Sequence, residues 1–225
     1  MRIGLIGYGK MGKEVEKIAV LKGHKIIFKI NSENTNQLTK ENLKQIDVAI
    51  EFSNPNCALN NIKFCIDQNT PIVSGTTGWQ KKAINIKEQC LKKNGSFLHS
   101  PNFSIGVNLF FEINKYVAEL MKNKEYRISI LEKHHSLKKD SPSGTALKIA
   151  DDINKRLNYN PPVESKRLGK LKGEHMVCYR STIDEIQIKH KAKSRSGFAK
   201  GAILAAEFIY NKKGIFTMND IIKNL

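Results

Sequence analysis

Acidic residues are scarce in this chain. Its 225 residues hold 21 Asp and Glu against 38 Lys and Arg, a formal net charge of +17. Such an excess invites a nucleic-acid reading. The lysines, however, are spread along the whole chain in a background rich in Asn and Ile. That distribution describes a solvated lysine surface and argues against a nucleic-acid partner. Its diffuse positive field still attracts small polyanions such as dinucleotides and dicarboxylates. Long apolar runs are missing too. No stretch reaches the roughly 18 to 20 apolar residues of a membrane span, so no membrane partner is expected. The apolar part of Met1–Gly7 is too short for a secretory signal, and no small-residue cleavage site follows it. A cytoplasmic protein is the expectation. Cys57, Cys65, Cys90 and Cys178 form no C-x-x-C pair. Zinc and redox motifs are therefore unsupported, and buried thiols are the simpler account. Hydrophobic residues make up 40%, enough for a core, and the length suits one large domain or two small ones.

What the chain does have is alternation. Ile3–Ile6 is a short apolar run that reads as a buried parallel strand. Beyond a glycine turn, Met11, Val15, Ile18, Ala19 and Leu21 recur at helical spacing up to Gly23, and Lys25–Ile30 is the next strand. The pattern continues with a strand over Val48–Phe52 and a helix opened by Asn54-Pro55 that holds Ala58, Leu59, Ile62 and Phe64. A strand over Pro71–Val73, a lysine-rich helix over Gln80–Lys92 and a short strand at Phe97-Leu98 follow. Strands alternating with helices imply an α/β fold with a parallel sheet covered on both faces. After Gly106 the pattern changes. A long amphipathic helix over Asn108–Met121 leads to a strand over Tyr126–Glu132, a polar loop over Lys133–Ser141 and a helix from about Ser143 to Leu157. Val163–Gly173 is charged and glycine-bearing, hence a loop. Glu174–Tyr179 and Glu185–His190 read as antiparallel strands, Phe198–Tyr210 as a helix and Ile215–Leu225 as a short terminal segment.

Gly7-Tyr8-Gly9-Lys10-Met11-Gly12, after a strand and before a helix, is a Rossmann-type dinucleotide fingerprint. Gly7 allows the tight turn, Gly9 lets a pyrophosphate approach the backbone, and Gly12 lets the helix pack close. The helix N-terminus offers N–H groups and partial positive charge to phosphate. An acidic ribose ligand is expected about 20 residues on, at the end of the second strand. Asn31 and Ser32 stand there, with Glu33 just beyond. A neutral strand end does not repel a 2′-phosphate, so NADPH or NADH is expected. Gly75-Thr76-Thr77-Gly78 and Ser100-Pro101-Asn102-Phe103 both end strands, where ligands of such sheets bind; ordinary strand-to-helix loops could carry the same residues. The richest stretch runs from Glu132 to Ala146. His134 and His135 can give or take a proton near neutral pH, and Lys138 offers a cation to a carboxylate. Ser143 is a candidate N-cap, and the N-terminus it opens, with Gly144 and Thr145, would bind an anion. The bland alternative is a polar loop before a capped helix. A metal reading is poor, because adjacent histidines rarely point at one ion and no carboxylate partner stands out.

Gly7–Gly12, Gly75–Gly78, Ser100–Asn108 and Glu132–Ala146 stand in the order found in the 4-hydroxy-tetrahydrodipicolinate reductase (dihydrodipicolinate reductase) family. Phe198–Ala202 and Met218–Ile221 also resemble that family's C-terminus, so the resemblance covers nearly the whole chain. It implies a dinucleotide-binding domain over 1–104 with the tail 201–225 packing back on it, and an α+β domain over 105–200 for substrate and oligomer contacts. It implies NAD(P)H-dependent reduction of 4-hydroxy-tetrahydrodipicolinate to tetrahydrodipicolinate with loss of water, in diaminopimelate and lysine biosynthesis, by a homotetramer. Gly7–Gly12 would bind the dinucleotide, and Gly75, Thr76, Thr77 and Ser100–Phe103 would lie near its nicotinamide ribose. His134 would be the proton donor and Lys138 the second acid and charge partner. His135, Gly144 and Thr145, at the cap formed by Ser143, would hold the substrate's carboxylates. The chain departs from the family in a glycine turn one residue shorter than some members have. Leu168-Gly169-Lys170-Leu171 also stands where an Arg-Gly-Gly run is usual. The nearest rival reading is another small two-domain NAD(P)-dependent dehydrogenase acting on an imino acid or sugar. A rival of a different class is a non-catalytic NAD-sensing or nucleic-acid-binding regulator, for which His134 and Lys138 would be dispensable.

Overall fold

The apolar run near the N-terminus becomes a central strand because both of its faces are covered. The computed structural model describes residues 1–80 and 85–225. In it β1 (Arg2–Ile6) lies between β2 (Lys25–Ile30) and β3 (Val48–Glu51), parallel to both. β4 (Ile72–Ser74), β5 (Ser96–His99) and β10 (Gly214–Phe216) complete a parallel sheet of order β10-β5-β4-β3-β1-β2. Side chains of a strand alternate between faces. Ile3, Leu5, Val48 and Ile50 therefore meet α1 (Lys10–Leu21) and α7 (Ser196–Ile209), while Ile6, Ala49 and Ile72 meet α3 (Ala58–Asp67) and α4 (Ile86–Lys92). The short α2 (Lys40–Leu43) adds Leu43 to the second cluster, and α8 (Met218–Ile222) adds Met218 and Ile221 to the first.

These elements form one compact unit, Met1–Ile105 with Ser196–Leu225; Gly106–Arg195 form a second. The second unit holds most of α5 (Ile105–Leu120), then β6 (Arg127–His134), α6 (Gly144–Leu157), β7 (Val163–Arg167), β8 (Glu174–Arg180) and β9 (Glu185–Lys191). Its sheet runs β7-β6-β8-β9, with β6 and β7 parallel and the other neighbours antiparallel. Phe110, Phe111, Ile149 and Ile153 of the two helices pack on Ile128, Ile130, Val177 and Tyr179 of the sheet. The parallel sheet and the second, mixed α+β unit agree with the fold class read from the sequence. All four cysteines are free thiols. No described helix is long and apolar enough to cross a membrane.

Three local readings need correction. Lys133 and His134 are the last residues of β6, not the start of a loop. Part of Val163–Gly173 is strand: β7 is a sheet edge with one partner, so its exposed Glu164 and Lys166 alternate with half-buried residues at no cost to pairing. Leu21 is 74% exposed and not part of the α1 core stripe. The helix expected over Gln80–Lys92 lies partly outside the described residues, and its described part is α4.

α7 packs closely on the strand-end segment that follows β5. A Cβ on Gly201 would lie 1.7 Å from the Phe103 carbonyl oxygen, and backbone cannot move aside as a flexible side chain can. Gly201→Ala is expected to cost about 1–3 kcal/mol or more, the range for overpacking, read as a lower urea midpoint. An unchanged midpoint would show that α7 does not sit this close.

Candidate active site

In the first unit, the glycine turn is dictated by backbone crowding. Gly7 has φ +98°, and a Cβ there would lie 2.2 Å from the Phe52 carbonyl oxygen. Glycine alone meets both demands. The N–H groups of Gly7 and Tyr8 both donate to the Ile30 carbonyl at 2.8 Å, tying the turn to the end of β2. A Cβ on Gly12 would lie 2.4 Å from the Gly7 carbonyl oxygen, so α1 starts directly against the turn. Gly9 caps α1 without a side-chain bond, and a Cβ there would meet nothing within 4 Å. The first N–H groups of a helix have no intrahelical partner, so this open end fits a phosphate group. Lys10 is exposed and Met11 packs on the core. The Tyr8 hydroxyl donates to Glu16, which also takes Lys29 Nζ at 2.8 Å. Exposed Asn31 folds into its own turn: its side-chain oxygen accepts the Glu33 N–H at 2.8 Å, and its N–H donates to Asn34 at 2.7 Å.

The two strand-end loops use their polar groups internally. The Thr76 hydroxyl donates to buried Glu51 at 2.8 Å, so of the two threonines only Thr77 presents an exposed side chain. A Cβ on Gly75 would lie 2.0 Å from the Phe52 ring. The Ser100 hydroxyl donates to the Asn102 carbonyl at 2.7 Å, and the Asn102 side-chain oxygen takes the Ser104 N–H at 2.9 Å. Pro101 is exposed, whereas the Phe103 ring is 1% exposed and packs edge-on to Phe52 at 5.7 Å. The Phe103 side chain is therefore core.

In the second unit, strand alternation carries polar groups into a core face. Ile128, Ile130, Glu132 and His134 all point inward from β6, and the register sets Glu132 opposite His175 of β8 and His134 beside Arg167 of β7. Glu132 is 0% exposed and His134 8%. His134 Nδ1 is hydrogen-bonded to Glu132, whose other oxygen takes Arg167 Nη2 at 2.8 Å and the Ser143 N–H at 3.3 Å. The Ser143 hydroxyl caps α6 by accepting the Ala146 N–H at 3.2 Å and lies 3.2 Å from His175 Nε2. The His134 and His175 rings meet edge-on at 5.1 Å. A Cβ on Gly173 would come 3.1 Å from His134 Nε2, so glycine keeps space at that nitrogen. Lys138 Nζ is paired with Asp140 at 2.7 and 3.0 Å. His135 is half-buried, and a Cβ on Gly144 would meet nothing within 4 Å.

Burial alone would raise the Glu132 pKa, but hydrogen bonds from Arg167 and His134 outweigh it and hold Glu132 below the usual carboxylate range. Burial pulls His134 below the ordinary histidine value against the pull of Glu132, and Lys138 and Arg167 add to the lowering. Burial, with the neighbouring His134 charge, pushes His175 down to about 4. The carboxylate partner not apparent in the sequence is thus Glu132. Together with His134 and His175 it brings donor atoms within 4.8 Å of one another. Both of its oxygens already accept hydrogen bonds, and a guanidinium at 2.8 Å opposes a cation there. The constellation is suited to proton transfer. Glu132, Arg167 and His175 were not singled out in the sequence, although period-two alternation through His175, Val177 and Tyr179 marks His175 as inward-facing. A separate cavity of about 680 Å³, lined by Lys124, Tyr126, Asn154 and Tyr159 among others, touches none of the candidate residues.

A parallel sheet with a glycine turn after its first strand, followed by a mixed α+β unit, is the architecture of the Rossmann dinucleotide-binding class. Family models described as dihydrodipicolinate reductase N-terminus and C-terminus match residues 1–103 and 106–222. The chain belongs to the dihydrodipicolinate reductase family. It is 44% identical to a 4-hydroxy-tetrahydrodipicolinate reductase of Christiangramia forsetii, covering 100% of this chain and 99% of the relative. It is 36% identical to the enzyme of that name from Thermosipho africanus, covering 99% and 98%. Among solved structures, dipicolinate-bound dihydrodipicolinate reductase from Paenisporosarcina sp. TG-14 superposes with TM-score 0.81 at 20% identity, over 96% of this chain and 97% of that one.

The low pKa of His175 has a consequence for stability. The unfolded chain takes up this proton as pH falls through about 6.5, and the folded chain only near 4. The contribution is therefore full above pH 6.5 and lost progressively towards pH 4. At about 1.4 kcal/mol per pKa unit it amounts to about 3 kcal/mol. His175→Gln is expected to flatten the fall of urea-unfolding stability across this window. Equal slopes in both proteins would mean that His175 titrates normally.

Proposed function

We propose that this protein catalyses NAD(P)H-dependent reduction of 4-hydroxy-tetrahydrodipicolinate, with loss of water, to tetrahydrodipicolinate, in diaminopimelate and lysine biosynthesis. The observation that carries this reading is the buried His134–Glu132 pair beside the Ser143-capped N-terminus of α6. The first unit would hold the coenzyme at Gly7–Gly12, Asn31, Gly75–Thr77 and Ser100–Phe103. The second would serve as the substrate and oligomerisation domain of a cytoplasmic homotetramer, a role supported by the long, largely exposed edge strand β9.

Loss of water takes the C4 hydroxyl and a C3 hydrogen of the substrate and leaves a C3=C4 bond conjugated with the ring imine. The coenzyme, when bound, would supply a hydride to C4. Negative charge and enamine character then develop towards C3, and a positioned acid must deliver a proton there. Glu132 fixes the Nδ1 side of His134, which leaves Nε2 as the nitrogen that carries the transferable proton. The carboxylate also stabilises the imidazolium that must form, while burial opposes it. A dianionic substrate adds negative charge and raises the His134 pKa. Lys138 and the Gly144 N–H hold Asp140 below the usual carboxylate range. We read the Asp140 carboxylate as a stand-in for a substrate carboxylate at Lys138. The Lys138–Asp140 pair is partly exposed, and such pairs contribute only about 0–1 kcal/mol, so a substrate carboxylate can take over Lys138 at little cost. His135, Gly144 and Thr145 would complete the carboxylate cradle.

His134→Gln is expected to lower kcat by about 10²- to 10⁴-fold, the usual value of general acid catalysis, with KM little changed. In the wild type, kcat/KM should fall as pH rises through the lowered pKa of free His134. The limb in kcat should lie at higher pH, because bound dianion raises that pKa. Replacing Lys138 should damage both kcat and KM. An assay coupled to the preceding synthase reads all of these. Near-wild-type turnover in both variants would remove His134 and Lys138 from the chemistry.

The neutral end of β2 bears on the coenzyme. Asn31 does not repel a 2′-phosphate, and no carboxylate replaces it within β2 or its turn with Gly7 and Tyr8. Both coenzymes are expected to serve, with NADPH equal to or better than NADH. Asn31→Asp should weaken NADPH more than NADH. A wild-type kcat/KM preference for NADH above about 100-fold, near 2.7 kcal/mol, would show that Glu33 or another group supplies the missing carboxylate.

A further inference from the structure

We propose that Glu51 is a positioning residue for the coenzyme loop, acting through Ser74 and Thr76 to fix Gly75–Thr77. The proposal rests on the reading that this loop meets the coenzyme. Glu51 ends β3 and is 0% exposed. A buried carboxylate is costly unless its oxygens accept hydrogen bonds. Here four donors converge on it: the Ser53 N–H at 2.9 Å, the Ser53 hydroxyl, the Ser74 hydroxyl at 2.6 Å and the Thr76 hydroxyl at 2.8 Å.

The convergence follows from strand geometry. β3 and β4 pair Glu51 with Ser74 in parallel register, and the Gly75 N–H donates to the Glu51 carbonyl at 2.9 Å. Residues two apart on extended backbone point the same way, which sends the Ser74 and Thr76 hydroxyls together towards the carboxylate. Gly75, between them, faces the other way and is packed against the Phe52 ring. The Thr76 carbonyl is held as well, by Trp79 Nε1 at 2.7 Å and His99 Nε2 at 3.2 Å. The loop is thus clamped up to Thr76, and Thr77 is the first exposed side chain after the clamp. A tie between two strand ends needs no charge, since apolar residues of similar volume often serve as well. What the carboxylate adds is direction, because its oxygens dictate where two hydroxyls and the backbone between them lie.

The test compares Thr76→Val, which removes the hydroxyl at nearly constant volume, with Thr76→Ser, which keeps it, and with Glu51→Gln. Fluorescence titration with NADPH and steady-state kinetics for both substrates give the readouts. Thr76→Val and Glu51→Gln should raise the coenzyme Kd and KM by about tenfold or more. They should leave the KM of the dicarboxylate within about twofold, and Thr76→Ser should stay near wild type. The double variant should be no worse than Glu51→Gln alone, because the Thr76 contact is one of those that the Glu51 change already disturbs. If Glu51→Gln does not fold, the Val and Ser variants decide. Wild-type coenzyme affinity in Thr76→Val, or equal rises in both KM values, overturns the proposal. Hydrogen exchange of peptides covering residues 72–79 separates the two layers of the argument. Absence of NADPH protection in the wild type overturns the loop reading and the proposal with it. Protection in the wild type with an unaffected Thr76→Val overturns the positioning role alone.

Discussion

The second unit is organised by one electrostatic demand: a fully buried carboxylate must find hydrogen-bond donors. Glu132 has no solvent to turn to, and an uncompensated charge in that position would be prohibitive. Its donors are His134 from its own strand, Arg167 from β7 and the Ser143 N–H at the start of α6. Satisfying Glu132 therefore assembles three elements at one point. The same bonds orient an imidazole, place a guanidinium and fix a helix N-terminus. A proton donor and an anion cradle are proposed to grow from that one constraint.

The first unit meets a similar demand with different chemistry. Glu51 is as deeply buried as Glu132, but its donors are hydroxyls and a backbone N–H rather than cations. The proposed result is a rigid loop rather than a proton-transfer pair. At the glycine turn the constraint is steric instead. Gly7 and Gly12 are each pressed against a carbonyl oxygen, while Gly9 faces open space. Two glycines are required by what is already there, and the third is suited to what would arrive.

Much of this was legible in the sequence because it rests on local periodicity. The apolar runs at Ile3–Ile6 and Val48–Ile50, and the helical stripe of α1 as far as Ala19, fix elements whose two faces the sheet then covers. The glycine turn and the Ser143 cap were legible for the same reason: each is a short-range backbone requirement written in a few adjacent residues. β7 was not legible. Val-Glu-Ser-Lys-Arg has no apolar alternation, and it is a strand because β6 offers it an edge. The true end of β6 was missed because Lys133 and His134 look like loop residues until the pairing with β7 and β8 is known.

The sequence by itself determined the α/β alternation, the dinucleotide-type turn and the block in which His134 and Lys138 stand, since each depends on residues within a few positions of one another. Tertiary structure alone decided which polar groups became partners. His134 meets Glu132 across two residues, but Arg167 and His175 reach the same point from 35 and 43 positions away along the chain from Glu132. The Thr76 hydroxyl is turned inward by a carboxylate 25 positions earlier. Sheet register sets these pairings, and register is a property of neighbouring strands that no local pattern in one of them contains.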